Sequence, residues 1–330
     1  MPIGRAPRVL LACQAGTGVG LGHLSRTLVA ARALQRLPQA EVQLLVQAEP
    51  LVHAGLAAFE HRVIPPGGDL AEAIDSAVAD VLVLDLQAQR IPADFPAWLR
   101  RWRSAGRKLV AIDALLPLRA ELDLVLMPTF HFVPPPGLPD GAPILHGWDC
   151  YLIDGDAPAR PWQPGPRVLA LTGGSDATHL GQHWPALIDA QLPDGSEVHW
   201  VTGPYAQPPA LPARPRLGWR EHVAPSGLQP LMRASDYAVT VYGVSFYELL
   251  HLGVPTVVFS PYGSKDNAEL AAVAAAGVAR VAADEREATQ LLAGLMQDAT
   301  QAATLSRSAR DHLHTPGGER LARAIQALLT

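Results

Sequence analysis

A chain of 330 residues exceeds the size to which one hydrophobic core usually grows, so two domains are the expectation. Apolar residues make up 48% and charged residues 17%, which suits buried α/β cores and excludes disorder. A net charge of −5 excludes a chain-wide footprint for nucleic acid, and two cysteines, Cys13 and Cys150, exclude a disulfide framework or a cysteine-rich zinc site, so a reducing cytoplasm is expected.

Arg5 and Arg8 precede a short apolar run, Val9–Cys13, that ends in a glycine-rich loop; it reads as a first strand, not a signal peptide. Strands are predicted at Arg8–Cys13, Val42–Gln47, Arg62–Ile64, Val81–Leu86, Lys108–Ile112 and Leu122–Met127. Helices are predicted near 23–37, 51–58, 69–78 and 94–105. Such alternation, with continuously apolar strands, marks a parallel sheet covered on both faces. Residues 128–143 are proline-rich, and Asp154–Pro166 reads as a linker.

The alternation then restarts with strands at Val168–Thr172, Val198–Thr202, Tyr237–Val241 and Thr256–Ser260. Helices follow near 178–190, 226–233, 244–252, 266–276, 284–297, 302–313 and 318–329, with Gly253 and Gly277 as C′ glycines. The expected organisation is an N-terminal Rossmann-like domain (1–155), a linker (156–166) and a C-terminal one (167–330), the last helix a candidate to return to the first domain. The alanine-rich run from Leu270 is stopped by Arg280, short of the ~18 apolar residues of a membrane span.

Chemistry-bearing residues cluster where strands end, which is where open α/β sheets bind ligands. The loop Gly16–Gly22 runs into His23, Leu24, Ser25 and Arg26. It fails as a dinucleotide fingerprint because Leu21 stands where the third glycine belongs and the second strand ends at Gln47, not at a ribose-holding acid. No Gly-Lys-Ser/Thr marks a P-loop. A helix N-terminus disfavours imidazolium, so His23 is a candidate general base; the competing reading is a helix cap with Arg26 solvated beside it.

In the second half, Gly173-Gly174-Ser175-Asp176 offers backbone amides to an anion, or is a plain turn capped by Asp176. Gly243 and Ser245 open a helix as a diphosphate site, or Ser245 and Glu248 form a capping box. Ser260–Asn267 suits sugar hydroxyls, or is a solvated loop capped by Asp266.

Together, Gly22-His23-x-x-Arg26, Gly173-Gly174-Ser175-Asp176, Gly243-x-Ser245-x-x-Glu248 and Asn267 resemble the nucleotide-sugar enzymes of the GT-B fold. The likeness is to relatives of glycosyltransferase family 28: the lipid II-forming N-acetylglucosaminyltransferase, the UDP-sugar hydrolase of pseudaminic acid synthesis and the spore-coat polysaccharide synthesis family. It spans nearly the whole chain and implies an α/β architecture of two Rossmann-like domains facing each other across a cleft. By resemblance, His23 is the catalytic histidine, and Gly22 and Arg26 belong to its substrate loop. Gly173, Gly174, Ser175, Gly243 and Ser245 cradle the diphosphate, and Glu248 holds the nucleotide ribose. Asp266 and Asn267 read the donor sugar, and the backbone near Val223 reads the base.

The implied function is a hexosyltransferase-like, inverting, metal-independent glycosyltransferase of bacterial cell-surface or secondary glycan synthesis. Its donor is a nucleotide-sugar, UDP by resemblance, serving as substrate rather than cofactor; its acceptor is a sugar, a lipid-linked sugar or water. Alternatives are a UDP-sugar hydrolase, a non-catalytic nucleotide-sugar-binding protein and an epimerase. Gln14-Ala15-Gly16-Thr17 departs from the hydrolase pattern, whereas Gly-Gly-Ser-Asp and the compact length follow it.

Three further features are weighed. Asp154-Gly155-Asp156 imitates a metal-binding Asp-x-Asp but sits in the linker. His179 and His183 stand four apart on a predicted helix without a third ligand. The basic and aromatic segment 95–108 is a candidate peripheral contact with the inner face of the membrane, against a plainer reading in which the apolar face of Phe95, Trp98, Leu99 and Trp102 packs on the sheet.

Overall fold

A computed structural model describes residues 6–16, 19–38, 40–50, 53–153, 161–315 and 317–330. The chain divides into two units, Met1–Ile153 with Thr315–Thr330, and Asp154–His314. Asp154-Gly155-Asp156 lies outside the described residues, as do Thr17 and Gly18.

The first unit runs β1 (Arg8–Gln14), α1 (Gly22–Gln35), β2 (Glu41–Gln47), β3 (Glu60–Ile64), α2 (Leu70–Asp75), β4 (Val81–Asp85), α3 (Phe95–Ser104), β5 (Lys108–Ile112), β6 (Leu124–Leu126) and β7 (Ile144–Leu145). Its sheet is parallel throughout, in the order β3-β2-β1-β4-β5-β6-β7. The chain winds outward from β1 through β3, then crosses back to lay β4 on the other side of β1. Loops leaving β1 and β4 therefore flank a topological switch point. β4 is buried at every position, which is why it reads as an unbroken apolar run up to Asp85.

The second unit runs β8 (Arg167–Leu171), α4 (Trp184–Gln191), β9 (Glu197–Thr202), β10 (Gly218–Val223), α5 (Gln229–Ala234), β11 (Tyr237–Val241), α6 (Val244–His251), β12 (Thr256–Phe259), α7 (Asn267–Ala276), β13 (Arg280–Val281), α8 (Glu285–Gln297) and α9 (Ala299–His312). The order β10-β9-β8-β11-β12-β13, again all parallel, places a second switch point between β8 and β11. Trp184, Trp200 and Phe259 meet edge to face in its core, and the buried Trp184 indole donates to Thr289 Oγ1 at 3.0 Å. Gly253 and Gly277 take φ of 71° and 62°, the left-handed values that end α6 and α7.

The final helix, α10 (Gly317–Leu329), belongs to the first unit. Its buried Leu321, Ala322 and Ile325 share a core with Leu24, Leu28 and Ala31 of α1. Gly317 lets it land: its N–H donates to the Tyr151 carbonyl at 2.8 Å, and a Cβ there would lie 2.5 Å from the Cys150 carbonyl carbon.

Sequence pattern and structure part at the sheet edges and at two helices. β7, β10 and β13 are short or polar edge strands that show no apolar run, and β10 pairs on one side only. The predicted helix 178–190 starts only at Trp184; His179 sits in a left-handed turn and His183 precedes the helix, so no pair of histidines shares a helix face there. The segment 51–58 gives a short 3-10 turn, Ala54–Ala58.

Candidate functional site

β1 delivers the chain into the loop that opens α1 at Gly22, and no side chain caps that helix start. His23 is its second residue and Arg26 follows one turn later on the same face. Both meet Asp85, the last residue of β4, across the switch point. Asp85 Oδ1 lies 2.7 Å from His23 Nδ1 and accepts from Arg26 Nη2 at 2.6 Å, while its Oδ2 accepts from Arg26 Nε at 2.6 Å. Arg26 Nη1 also donates to Asp113 Oδ2 at 3.1 Å, and Asp113 takes a left-handed φ of 67° in the loop after β5.

Asp85 is fully enclosed, at 1% exposure, and burial alone would raise its pKa. The Arg26 charge and the hydrogen bonds from His23 and Arg26 outweigh the burial and hold the carboxyl below its ordinary range. An ionised Asp85 is purely an acceptor, so His23 Nδ1 carries the proton that bridges them. The 3.1 Å approach of Arg26 Nη2 to the same nitrogen follows from two donors converging on one oxygen. With Nδ1 turned to Asp85, Nε2 is the ring nitrogen left to serve as a general base.

A layer of buried amides supports this corner. Gln14 Nε2 donates to Gln47 Oε1 at 2.8 Å, Gln47 Nε2 to the Gly68 carbonyl at 3.0 Å, and the Gln87 N–H to Gln14 Oε1 at 2.8 Å. Gln47, standing where a dinucleotide fold would place a ribose acid, is thus spent on joining strand ends.

The second unit gathers the remaining predicted residues at the carboxyl ends of its strands. Gly173, with φ 85°, leads the loop after β8; Gly174 and Ser175 are half-buried. Asp176 is buried, its carboxylate accepting from the Leu180 and Gly181 N–H groups at 3.0 and 2.8 Å, so it braces the loop from within. The Gly174 carbonyl accepts from the Tyr205 N–H at 3.0 Å, and a Cβ at Gly203 would overlap the Gly174 carbonyl group.

On the adjacent strand, Gly243 is the N-cap of α6 and no side chain caps the helix. Ser245 is therefore the second helical residue, so the capping box with Glu248 is not formed; Glu248, half-buried, lies one turn further on. Ser260 Oγ donates to Asp266 Oδ2 at 2.5 Å and accepts from the Tyr262 N–H at 3.2 Å, so Asp266 closes its own loop and does not cap α7, whose first residue is the exposed Asn267. Val223 ends β10 at 69% exposure, and Ala224 after it takes φ 41°.

The geometry bears on two further expectations. The Arg26 guanidinium is buried and bonded to Asp85 and Asp113, and it meets His23 at their shared partner Asp85. The segment 95–108 takes the plainer arrangement, with Trp98 half-buried against the first unit's core. Phe95, Leu99 and Trp102 are buried in the first unit's core, and Arg100, Arg101 and Arg103 pair with Glu121, Asp75 and Asp123. Among the described residues no helix is long and apolar enough to cross a membrane. Among them, too, no three His, Cys, Asp or Glu side chains gather as a metal site.

The sequence reading missed Asp85 and Asp113. The available signal was an acid closing the apolar β4, which borders the switch point, and another directly after its neighbour β5. Within the segment Ser260–Asn267, the Lys265 ammonium lies 5.9 Å from the Tyr262 ring centroid.

No protein-family model matches the chain, and no curated protein matches it in sequence. Solved structures do resemble it. The calicheamicin glycosyltransferase CalG4 superposes with a TM-score of 0.64 at 16% identity, covering 99% of each chain. MurG of Acinetobacter baumannii gives 0.63 at 15%, covering 97% of this chain and all of its own. A UDP-N-acetylglucosamine 2-epimerase gives 0.62 at 13%, covering 98% and 96%. The two parallel sheets and these neighbours define an α/β chain of the GT-B fold.

Proposed function

We propose that this protein is a nucleotide-sugar-dependent glycosyltransferase that inverts the anomeric centre without a metal; CalG4, one of the similar structures, is a glycosyltransferase by name. A fold hosts many chemistries, so the reading rests on the site. The observation that carries it is the His23–Asp85 pair at the first unit's switch point, 2.7 Å apart, with the histidine held in the tautomer of a base.

In the proposed reaction His23 Nε2 takes the proton from an acceptor hydroxyl while that oxygen forms its bond to the anomeric carbon. The bond from that carbon to the phosphate oxygen breaks on the opposite face, and the electron pair leaves with the nucleoside diphosphate. Asp85 offsets the positive charge that develops on the imidazole, as the acid of a catalytic triad does. Backbone amides at Gly173, Gly174, Ser175, Gly243 and Ser245 take the diphosphate charge. Glu248 is assigned the ribose, Asp266 and Asn267 the donor sugar, and the backbone at Val223 the base. A uridine nucleotide is the first choice of donor, since one similar structure is named for a UDP-sugar.

The test is a panel of UDP-, GDP-, dTDP- and CMP-sugars, each with and without sugar acceptors, followed by release of nucleoside diphosphate and by mass spectrometry of the product. A glycosylated acceptor is expected; free sugar at the same rate whether or not an acceptor is present would convert the reading to a hydrolase. His23→Ala should keep donor binding and lose turnover. Full turnover in that variant would refute the proposed chemistry.

A further inference from the structure

The loops leaving β6 and β7 carry side chains that the displacement chemistry does not use. The Phe130 and Trp148 rings lie face to face, centroids 3.8 Å apart and planes 10° from parallel, and both are half-buried. Phe132 and the exposed His146 make a second ring contact at 5.2 Å, and the exposed His131 lies beside Phe130.

The two loops are firmly joined. The Gly147 N–H donates to the Thr129 carbonyl at 2.8 Å, and the Phe130 N–H to the hydroxyl of the buried Tyr151 at 3.2 Å. Arg320 of α10 donates to the His146 carbonyl at 3.1 Å and pairs with Asp149. Flat aromatic faces left partly in water, yet braced from three directions, are preorganised for a partner.

Chemistry narrows that partner. The loop stretches 113–116, 127–133 and 146–149, which line the carboxyl edge from β5 to β7, contain no Lys or Arg. Arg26 and Arg320, which reach this edge, are each bonded to an aspartate. Nothing there suits a phosphate. Hydroxyl and imidazole groups of Thr129, His131 and His146 alternate with the rings, which suits a molecule with an apolar C–H face and a polar rim.

We infer that the Phe130–Trp148 stack with Thr129, His131 and His146 binds an uncharged pyranose ring of the acceptor. This rests on the glycosyl-transfer reading and deepens it by naming the acceptor class. At roughly 4.8 Å per strand, β6 and β7 stand about 10 and 14 Å along the edge from β4, which carries Asp85. That span exceeds one sugar ring, so an acceptor that reaches both places is an oligosaccharide or a glycoside rather than a monosaccharide, and water would need no such surface.

The experiment uses the full chain with the donor that the panel identifies. Trp148→Ala and Phe130→Leu are compared with the parent for acceptor KM, kcat at saturating acceptor, and nucleotide release without acceptor, after near-UV circular dichroism has verified their fold. A rise of about tenfold in acceptor KM is expected, with donor-only nucleotide release unchanged and recovery in Trp148→Phe. An unchanged acceptor KM in folded variants would overturn the inference.

If no nucleotide-sugar turns over, the proposed function fails separately, and saturation-transfer NMR with methyl β-glucoside, cellobiose and glucose 1-phosphate still tests the surface. Binding of the neutral glycosides that Trp148→Ala removes supports it. Binding of the phosphate alone, of no glycoside, or of glycosides equally to the variant refutes it.

Discussion

Three side chains, His23, Arg26 and Asp85, form a unit in which each member sets the state of the others. Removing Arg26 would leave Asp85 buried without its strongest partner; removing Asp85 would strand a buried guanidinium, and breaking such a pair costs about 3–5 kcal/mol. Asp85→Asn keeps the volume but loses the charge that fixes the His23 tautomer. Its expected effect is a fall in kcat of roughly 10³-fold or more with donor affinity little changed, by analogy with the triad acid, together with a urea midpoint shifted down. Equal turnover in Asp85→Asn would remove the base assignment. Because the folded carboxyl is held below its ordinary range of about 4, the stabilisation it supplies is complete above that pH. It is lost as pH falls through the folded value. Acid unfolding of the parent below about pH 4 should therefore be steeper than that of Asp85→Asn, as circular dichroism against pH would show.

Elements matter here through the few places where backbones touch. α10 closes the first unit by packing Leu321, Ala322 and Ile325 onto α1, and Gly317 is the point where it meets the Cys150–Tyr151 backbone. Gly317→Ala should cost about 1–3 kcal/mol by overpacking, and Ile325→Ala about 2–5 kcal/mol by leaving a cavity, both measured by denaturant unfolding. A different close approach governs the loop after β8. Gly203→Ala pushes against the Gly174 carbonyl, so it should weaken nucleoside diphosphate binding several-fold in calorimetry while leaving the fold intact. Unaltered affinity in that variant would remove the 173–175 amides from the proposed diphosphate site. The helix and strand periods that mark α1, α6, β4 and β11 are visible in the chain because those elements are long or continuously apolar. β7, β10 and β13 are not, since an edge strand is stabilised by the neighbour it pairs with and needs no pattern of its own.

At the scale of the whole molecule, both cysteines lie in the first unit and both are enclosed. Burial pushes each thiol up to about 12, so neither should react with a thiol reagent at neutral pH in the native protein. Labelling rate against urea should then report the opening of the first unit alone, while fluorescence of a variant with Trp98, Trp102 and Trp148 replaced by Phe follows the second, whose core holds Trp184 and Trp200; coincident transitions would show that the units unfold as one. The amino-acid sequence by itself determined the alternation of strand and helix, the restart after a proline-rich stretch, and the glycine-opened loops at strand ends, because periodicity and turn chemistry are local properties. Only tertiary structure decided that Asp85 stands beside His23 and Asp113 beside Arg26, 62 and 87 positions apart in sequence, and that Arg26 is bound rather than free. It alone brought Phe130 against Trp148. Those pairings follow from sheet order, and the order in which parallel strands lie side by side is set by long crossovers that no local pattern records.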